Sequence, residues 1–418
     1  MILLKNVSNL VTCANPEGKA KRGKTQGDIY TVENGYLLFS DKILYSGNAS
    51  GFRSYIKNNK VKNFKEIDCT GKTVMPGFVD SHTHLVFAGS RANEYEMKVE
   101  GRTYEEIAKA GGGIASTVKS VRKTSKSELK KISEKRLYNF IRHGTTTLEA
   151  KSGYGLDTKT EIKMLEVIKE LNEENKYGAD ILPTFLGAHS IPEGISKKDY
   201  IEIICYEMLP QVAKRKIAKF IDIFCEKGYF DKGDTERILS AGASYGLIPK
   251  VHTDQFYSIG GIDVAKKVNA ISVDHLESIN ANGIRALKGT DIIATLLPGC
   301  SYFLNMVYPP ARKIIQNGIP VALATDFNPG SCMTENMQMI MSLASLKMKM
   351  TAEEIINAVT INGAYALFIQ DKTGNLETGK LADILIFDFQ SYKDLIYHFG
   401  VNQLEKVFIK GKSVLSKN

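Results

Sequence analysis

From Val74 onward short apolar runs alternate with helix-like segments, and this alternation limits the architecture more than any other feature. The runs predicted as strands are Val74–Asp80, Thr145–Glu149, Ile181–Leu186, Phe220–Cys225, Ile248–His252, Ile271–His275, Ile292–Leu297 and Val321–Asp326. Segments such as Thr158–Asn172 and Lys198–Arg215 lie between them and read as helices. Eight strand-then-helix units over about 250 residues are what a (β/α)8 barrel requires, and such a barrel gathers its chemistry at the C-terminal ends of its strands.

Reactive side chains recur at those ends. His82 and His84 follow the first run, one residue apart, and on extended chain residues i and i+2 share a face. Glu149-Ala150-Lys151-Ser152-Gly153-Tyr154-Gly155 follows the second run, and His189 follows the third. His252 ends the fifth, His275 the sixth and Asp326 the eighth. Any one of these histidines alone would read as a satisfied core residue. Five of the chain's seven on one rim argue for a shared metal ion. The other two, His143 and His398, read as a helix-end residue and a surface residue.

Residues 1 to about 75 read instead as short strands, among them Tyr36–Phe39 and Lys42–Gly47, with Glu33-Asn34-Gly35 as a turn between strands. After a helix over Thr351–Leu367 the chain returns to β character, with Gly374 to Phe387 a turn feeding a strand. That tail is small for a core of its own, so it is expected to pair with the N-terminal segment. The division predicted is 1–75 with 369–418, and 76–368 for the barrel.

Gly18-Lys19-Ala20-Lys21-Arg22-Gly23-Lys24-Thr25 matches the phosphate-loop pattern letter for letter. A phosphate loop must open a helix whose N-terminus holds the anion, whereas β-type Ile29-Tyr30-Thr31-Val32 comes next. A basic surface turn is the expectation.

The formal charge of +9 does not imply nucleic acid, because the lysines are interleaved with acids, as over Lys126–Arg136, a solvated helix face with charge pairing. No run of about 18 apolar residues is present to span a membrane, and the N-terminus lacks a secretory pattern. Six scattered cysteines suit reduced thiols and a cytoplasmic setting.

Pro76-Gly77-Phe78-Val79-Asp80-Ser81-His82-Thr83-His84, with His252, His275, Asp326 and the tail Gly374-Asn375-Leu376-Glu377-Thr378-Gly379-Lys380-Leu381-Ala382-Asp383, resembles the amidohydrolase superfamily over nearly the whole chain. Three further segments resemble its imidazolonepropionase family: His84 to Arg91, Lys151 to Gly155, and Thr325 to Ser331. The superfamily resemblance implies a distorted barrel carrying a small composite β-sandwich built from both termini.

His82, His84, His252 and Asp326 suit one Zn²⁺ or Fe²⁺ per chain, with room for a water whose pKa the ion lowers toward roughly 7. Two-metal members of the superfamily carry a carboxylated lysine at the end of strand four. Here that end reads Phe224-Cys225-Glu226-Lys227, so one metal is expected. His275 is then free to orient the water, and Asp326 to act as general base that returns the proton to the leaving nitrogen.

The family resemblance implies that Arg91 grips a propionate carboxylate and that Tyr154, His189 and Gln255 contact an imidazolone ring, Gln255 also belonging to the catalytic set. It implies that Asn328, Gly330 and Ser331 line the same pocket. The expected reaction opens 4-imidazolone-5-propanoate, a small anionic heterocycle, to N-formimidoyl-L-glutamate in a homodimer. The rival is an aminohydrolase releasing ammonia from a related heterocycle. Such enzymes carry a proton-shuttling glutamate three residues past the strand-five histidine, where this chain has Gln255, with Asp254 beside it. A non-catalytic relative of the fold would have no need of the ligand set.

Overall fold

The computed structural model describes residues 1–102, 106 and 111–416. Strands from both termini form one eight-stranded sheet. The N-terminal part supplies β1 (Ile2–Val11), β2 (Thr31–Phe39), β3 (Ile43–Gly47), β4 (Lys65–Asp68) and β5 (Thr73–Pro76). The barrel follows as β6 (Phe78–Asp80), β7 (Thr145–Lys151), β8 (Asp180–Ala188) and β9 (Phe220–Cys225). It continues through β10 (Ile248–Thr253), β11 (Ser272–His275), β12 (Ile293–Leu296) and β13 (Val321–Leu323). The chain ends with β14 (Ile384–Phe387), β15 (Leu404–Ile409) and β16 (Lys412–Ser416).

The long first strand organises the terminal sheet. Its start pairs with β4 and its end with β5, while β2 runs antiparallel along both halves. The pairing with β2 slips between Leu4 and Val7, where Asn6 sits at φ +55°. β14 then joins β5, so the C-terminal tail completes the sheet. The composite β unit is one hydrogen-bonded sheet folded over on itself, so that Phe39 of β2 meets Phe408 of β15 (ring centroids 5.2 Å apart) across a shared core.

Strands β6 to β13 lie side by side in chain order, all parallel. The barrel closes beyond the last regular pairing. Thr83 bridges Phe327, Asp326 N donates to His82 O (3.0 Å), and His84 N donates to Phe327 O (2.9 Å). Asp80 strengthens this seam by accepting from Thr325 N (3.1 Å) and Thr325 Oγ1 (2.7 Å).

Several expected elements differ. The run Val74–Asp80 is two strands in two sheets, β5 and β6, parted at Gly77. A Cβ at Gly77 would lie 2.1 Å from Thr146 Oγ1, so only glycine passes between the layers. Glu33-Asn34-Gly35 is no turn but part of β2, although Asn34 takes a φ of +49°. The helix expected over Lys198–Arg215 runs as Lys197–Ile203, a π turn Ile204–Met208 and Leu209–Arg215. That over Thr351–Leu367 divides into Ala352–Ala358 and Ile361–Ala366, parted at Thr360 (φ −126°, ψ −97°).

The basic segment after Gly18 is not a surface turn either. Lys21 is 3% exposed, its backbone N donates to Asn362 Oδ1 (2.8 Å), and Gln26 Nε2 donates to Val321 O (3.0 Å). It plugs the barrel end opposite the histidines. The lysines of the helix Lys126–Arg142 pair across to the helix Thr158–Glu174, as in Lys126–Glu170 (2.6 Å) and Lys126–Glu166 (3.0 Å). Among the described residues no helix is long and apolar enough to cross a membrane.

Candidate active site

At the C-terminal mouth of the barrel is a cavity of about 340 Å³. Its wall includes His84, His252, His275 and Asp326, together with Arg91, Tyr154, His189 and Gln255. Asn328, Gly330 and Ser331 complete the part foreseen from sequence. His82 is fully buried just beneath. Asp254 is not in the wall; its carboxyl accepts from Thr253 Oγ1 (2.9 Å) and Ser258 Oγ (2.8 Å), and burial pushes its pKa up to about 6.

Each strand end presents its side chain for a local reason. Past Asp80 the chain leaves β6 and is held to the eighth strand through the seam, which aims His82 and His84 at Asp326. Asp326 Oδ1 lies 3.5 Å from His82 Nε2 and 3.6 Å from His84 Nε2. His275 and Asp326 both take positive φ, +88° and +53°. Side chains adopt that region at a cost of about 1–3 kcal/mol each, which surrounding structure must offset.

Two histidines have their second nitrogens fixed from below. His82 Nδ1 lies 2.7 Å from Asp274 Oδ2, and His252 Nδ1 lies 2.9 Å from Asp222 Oδ2. A carboxylate accepts only, so His82 Nδ1 carries the proton and its Nε2 presents a lone pair to the centre. Both Nε2 atoms are buried and without a hydrogen-bond partner. Burial, then the neighbouring cations and imidazoles, holds the His82 pKa well below the usual range, so its ring is neutral. Burial likewise depresses His84. Neutral imidazoles with orphaned nitrogens beside a carboxylate are the donor set of a divalent metal site. Ligand atoms of His82, His84 and Asp326 lie within 4.8 Å of one another, as do those of His82, His252 and His275. The residues present fit a divalent ion.

Sequence reasoning missed the layer below. Lys151 Nζ is 2.7 Å from Asp222 Oδ2 and 2.8 Å from Glu149 Oε2, all three fully buried. Lys250 Nζ donates to Ser81 O (2.9 Å) and lies 3.3 Å from Glu149 Oε1 and 3.7 Å from Asp274 Oδ2. Two ammonium groups thus balance part of the charge of three carboxylates, and the carboxylates hold the histidines. Charged residues in the middle of fully buried strands were the available signal, as in Phe220-Ile221-Asp222-Ile223-Phe224.

Lys151 is accordingly a salt-bridge partner, with no space for a carboxylated form. At the end of strand four, Glu226 accepts from the backbone N of Phe256 (2.9 Å) and Tyr257 (3.1 Å), and Lys227 stacks on the Tyr257 ring. No lysine from that strand enters the cavity wall.

The remaining wall divides by chemistry. His275 Nδ1 faces Glu277 Oε2 at 3.5 Å. Burial lowers the His275 pKa, but Glu277 and Asp326 outweigh it and leave it above the ordinary value. Burial raises that of Asp326. His189 Nδ1 donates to Gly153 O (3.0 Å) and its ring stacks on His84, centroids 5.1 Å apart. Burial drives its pKa to about 3, so a neutral ring offers Nε2 as acceptor. Tyr154 packs against both His84 and His189, and burial keeps its phenol protonated. Gln255 Nε2 donates to Cys300 Sγ (3.3 Å), a buried thiol that sequence reading passed over.

Arg91 donates through Nε to Glu94 Oε2 (2.8 Å), with Nη2 2.7 Å from the same oxygen. Asn328 Oδ1 accepts from the backbone N of Gly330 and Ser331 (2.8 Å each), which folds that loop under the guanidinium.

Amidohydrolase family models match residues 65–174 and 251–414. Among solved structures, an atrazine chlorohydrolase variant from Arthrobacter aurescens, complexed with zinc and atraton, superposes with a TM-score of 0.72 at 15% identity, covering 100% of this chain and 95% of that one. A zinc-bound adenosine deaminase from Xanthomonas campestris gives 0.69 at 16% identity, with 99% and 93% covered. At such identities the likeness is one of fold alone, a barrel with an added β unit. The sequence relatives are nearer. The imidazolonepropionase of Christiangramia forsetii is 45% identical over 99% of this chain and 100% of its own length. That of Alkaliphilus metalliredigens is 44% identical over 100% of this chain and 98% of its own. With that identity over full length, and a buried imidazole–carboxylate cluster at the barrel mouth, the chain belongs to the imidazolonepropionase family of metal-dependent amidohydrolases.

Proposed function

We propose that the chain adds water across the ring C–N bond of 4-imidazolone-5-propanoate, releasing N-formimidoyl-L-glutamate. The observation that carries this reading is a single cavity whose wall holds both the metal-type cluster and the guanidinium of Arg91. His82, His84, His252 and Asp326 are the proposed ligands of one Zn²⁺ or Fe²⁺. A divalent ion there supplies a Lewis acid and a water acidified toward neutral pH.

The chain's own groups do the rest. Asp326 accepts the proton of the attacking water and returns it to the ring nitrogen as the C–N bond breaks. His275, held by Glu277, orients that water toward the ring carbonyl carbon. Oxygen goes to that carbon, which becomes a carboxylate, and both hydrogens are accounted for at nitrogen and bulk water. Tyr154 donates to the ring and His189 Nε2 accepts from it, which fixes the face presented. Gln255 hydrogen-bonds the ring but has no proton to shuttle. For that reason ring opening is favoured over release of an amine.

The same reading takes the substrate as an anion, with Arg91 toward the propionate, and the working form as a cytoplasmic homodimer. Product analysis tests the reaction. Purified protein should convert the imidazolone to a formimidoyl amino acid with no ammonia formed. Ammonia released in step with substrate loss would replace this reading by deamination.

A further inference from the structure

One buried thiol at the barrel mouth has no part in the ring opening described above. Cys300 lies in the short helix Pro298–Phe303, which follows β12, and its side chain is fully buried. It stands beside two groups that do have parts, since ligand atoms of His275, Cys300 and Asp326 lie within 4.8 Å of one another. An imidazole, a thiol and a carboxylate at that spacing are a donor set for a soft divalent ion.

The two oxygens of Asp326 have different neighbours. Oδ1 faces His82 Nε2 and His84 Nε2 at 3.5 and 3.6 Å, toward the proposed resident ion. Oδ2 accepts from Ser331 Oγ at 3.2 Å instead. One carboxylate can thus serve two ions, one through each oxygen. His275 Nδ1 is buried and lacks a hydrogen-bond partner, with Glu277 Oε2 3.5 Å away. Cys300 Sγ accepts from Gln255 Nε2 (3.3 Å), a weak bond that a metal–sulfur bond outweighs.

We propose that His275, Cys300 and Asp326 form a second, inhibitory site for a soft divalent ion such as Zn²⁺ or Cd²⁺. With three protein ligands against the proposed four of the resident site, it fills second. The ion arrives through the cavity, whose wall includes His275 and Asp326. As the metal–sulfur bond forms, the thiol proton leaves to bulk water. Inhibition rests on the ring-opening reading given above, because such an ion occupies the two groups that orient the water and take its proton. Hard Mn²⁺ prefers oxygen ligands and should leave the site alone.

The test titrates metal-stripped protein with Cd²⁺, following thiolate-to-cadmium absorption in the ultraviolet without substrate. Parallel titrations with Zn²⁺ are read by ring opening. In the wild type the absorption band should be absent through the first equivalent and grow in with the second. Ring opening should reach its maximum at one equivalent of Zn²⁺ and fall in large excess. Excess Mn²⁺ added to the singly loaded enzyme should cause no fall. Cys300→Ser, which keeps an acceptor for Gln255, should show no band and should hold its one-equivalent activity through the same Zn²⁺ excess. His275→Ala should lose the band with the thiol still in place. A band present from the first equivalent would overturn the proposal by making Cys300 a ligand of the resident ion. A band that survives Cys300→Ser, or no band at any loading, would remove the site. Equal zinc inhibition in Cys300→Ser and wild type would put the inhibitory ion elsewhere. A wild type that never opens the imidazolone would sink the functional reading and the inhibitory role together, and the cadmium band would still decide whether the site exists.

Discussion

His82 Nδ1 lies 2.7 Å from Asp274 Oδ2, and neither side chain is exposed. That contact joins the proposed metal site to the buried ionic layer under it. Carboxylates in this position fix the ring tautomer and raise ligand basicity, and their loss typically costs about 10–100-fold in metal affinity. Asp274→Asn should therefore weaken the metal by about that factor. Competition against a chelator of known affinity measures it. Unaltered affinity would mean that the seam, rather than Asp274, orients His82.

His275 and Asp326 should behave differently on substitution. His275→Ala should lower kcat strongly while the protein keeps its metal, because its imidazole is assigned to the water. Asp326→Asn should reduce both. Elemental analysis of the two variants separates them. Loss of metal from His275→Ala would make His275 a ligand, an arrangement its nearness to His82 and His252 allows.

Arg91→Ala should lower kcat/KM by about ten- to a hundredfold, from one lost charge-assisted contact and an unpaired Glu94 left beside the anion. Gly330→Ala should reproduce part of this loss with Arg91 intact, because the added methyl occupies the place of Nη1. Steady-state kinetics on both variants checks it. A Gly330→Ala enzyme of wild-type efficiency would remove the guanidinium from the binding face.

A pH effect on stability is expected far from the cavity. Asp383 is buried where β14 meets the rest of the terminal sheet, accepting from Thr373 Oγ1 (3.0 Å) and Lys410 N (2.9 Å). Burial raises its pKa to about 6. An unfolded aspartate titrates near about 3.9, so between these values the folded state holds more protons than the unfolded one. Its contribution is full below the lower value and lost as pH rises through the upper. Asp383→Asn should abolish that decline, seen as a flatter plot of urea midpoint against pH. Parallel plots for variant and wild type would contradict the assignment.

What could be seen in the sequence follows from how each feature is encoded. The barrel strands show as apolar runs because parallel strands are covered on both faces. The strand-end histidines stand out for the same reason, as polar residues at the close of apolar runs. Gly77 concealed a change of sheet, since a continuous apolar run reads alike whether it serves one sheet or two. Asp222, Asp274 and Lys250 were overlooked because their partners lie on other strands, and only closure of the barrel brings them together. The Arg91–Glu94 pair was within reach, being an i,i+3 contact at a helix start.

The most direct test of the whole account is a metal titration read by ring opening. Protein stripped by chelator is reloaded with Zn²⁺ or Fe²⁺ while loss of 4-imidazolone-5-propanoate is followed. Activity should be absent without metal, rise in proportion to added ion, and level off at one equivalent per chain, with N-formimidoyl-L-glutamate as product. Full activity reached only at two equivalents, or no ring opening at any loading, would contradict it.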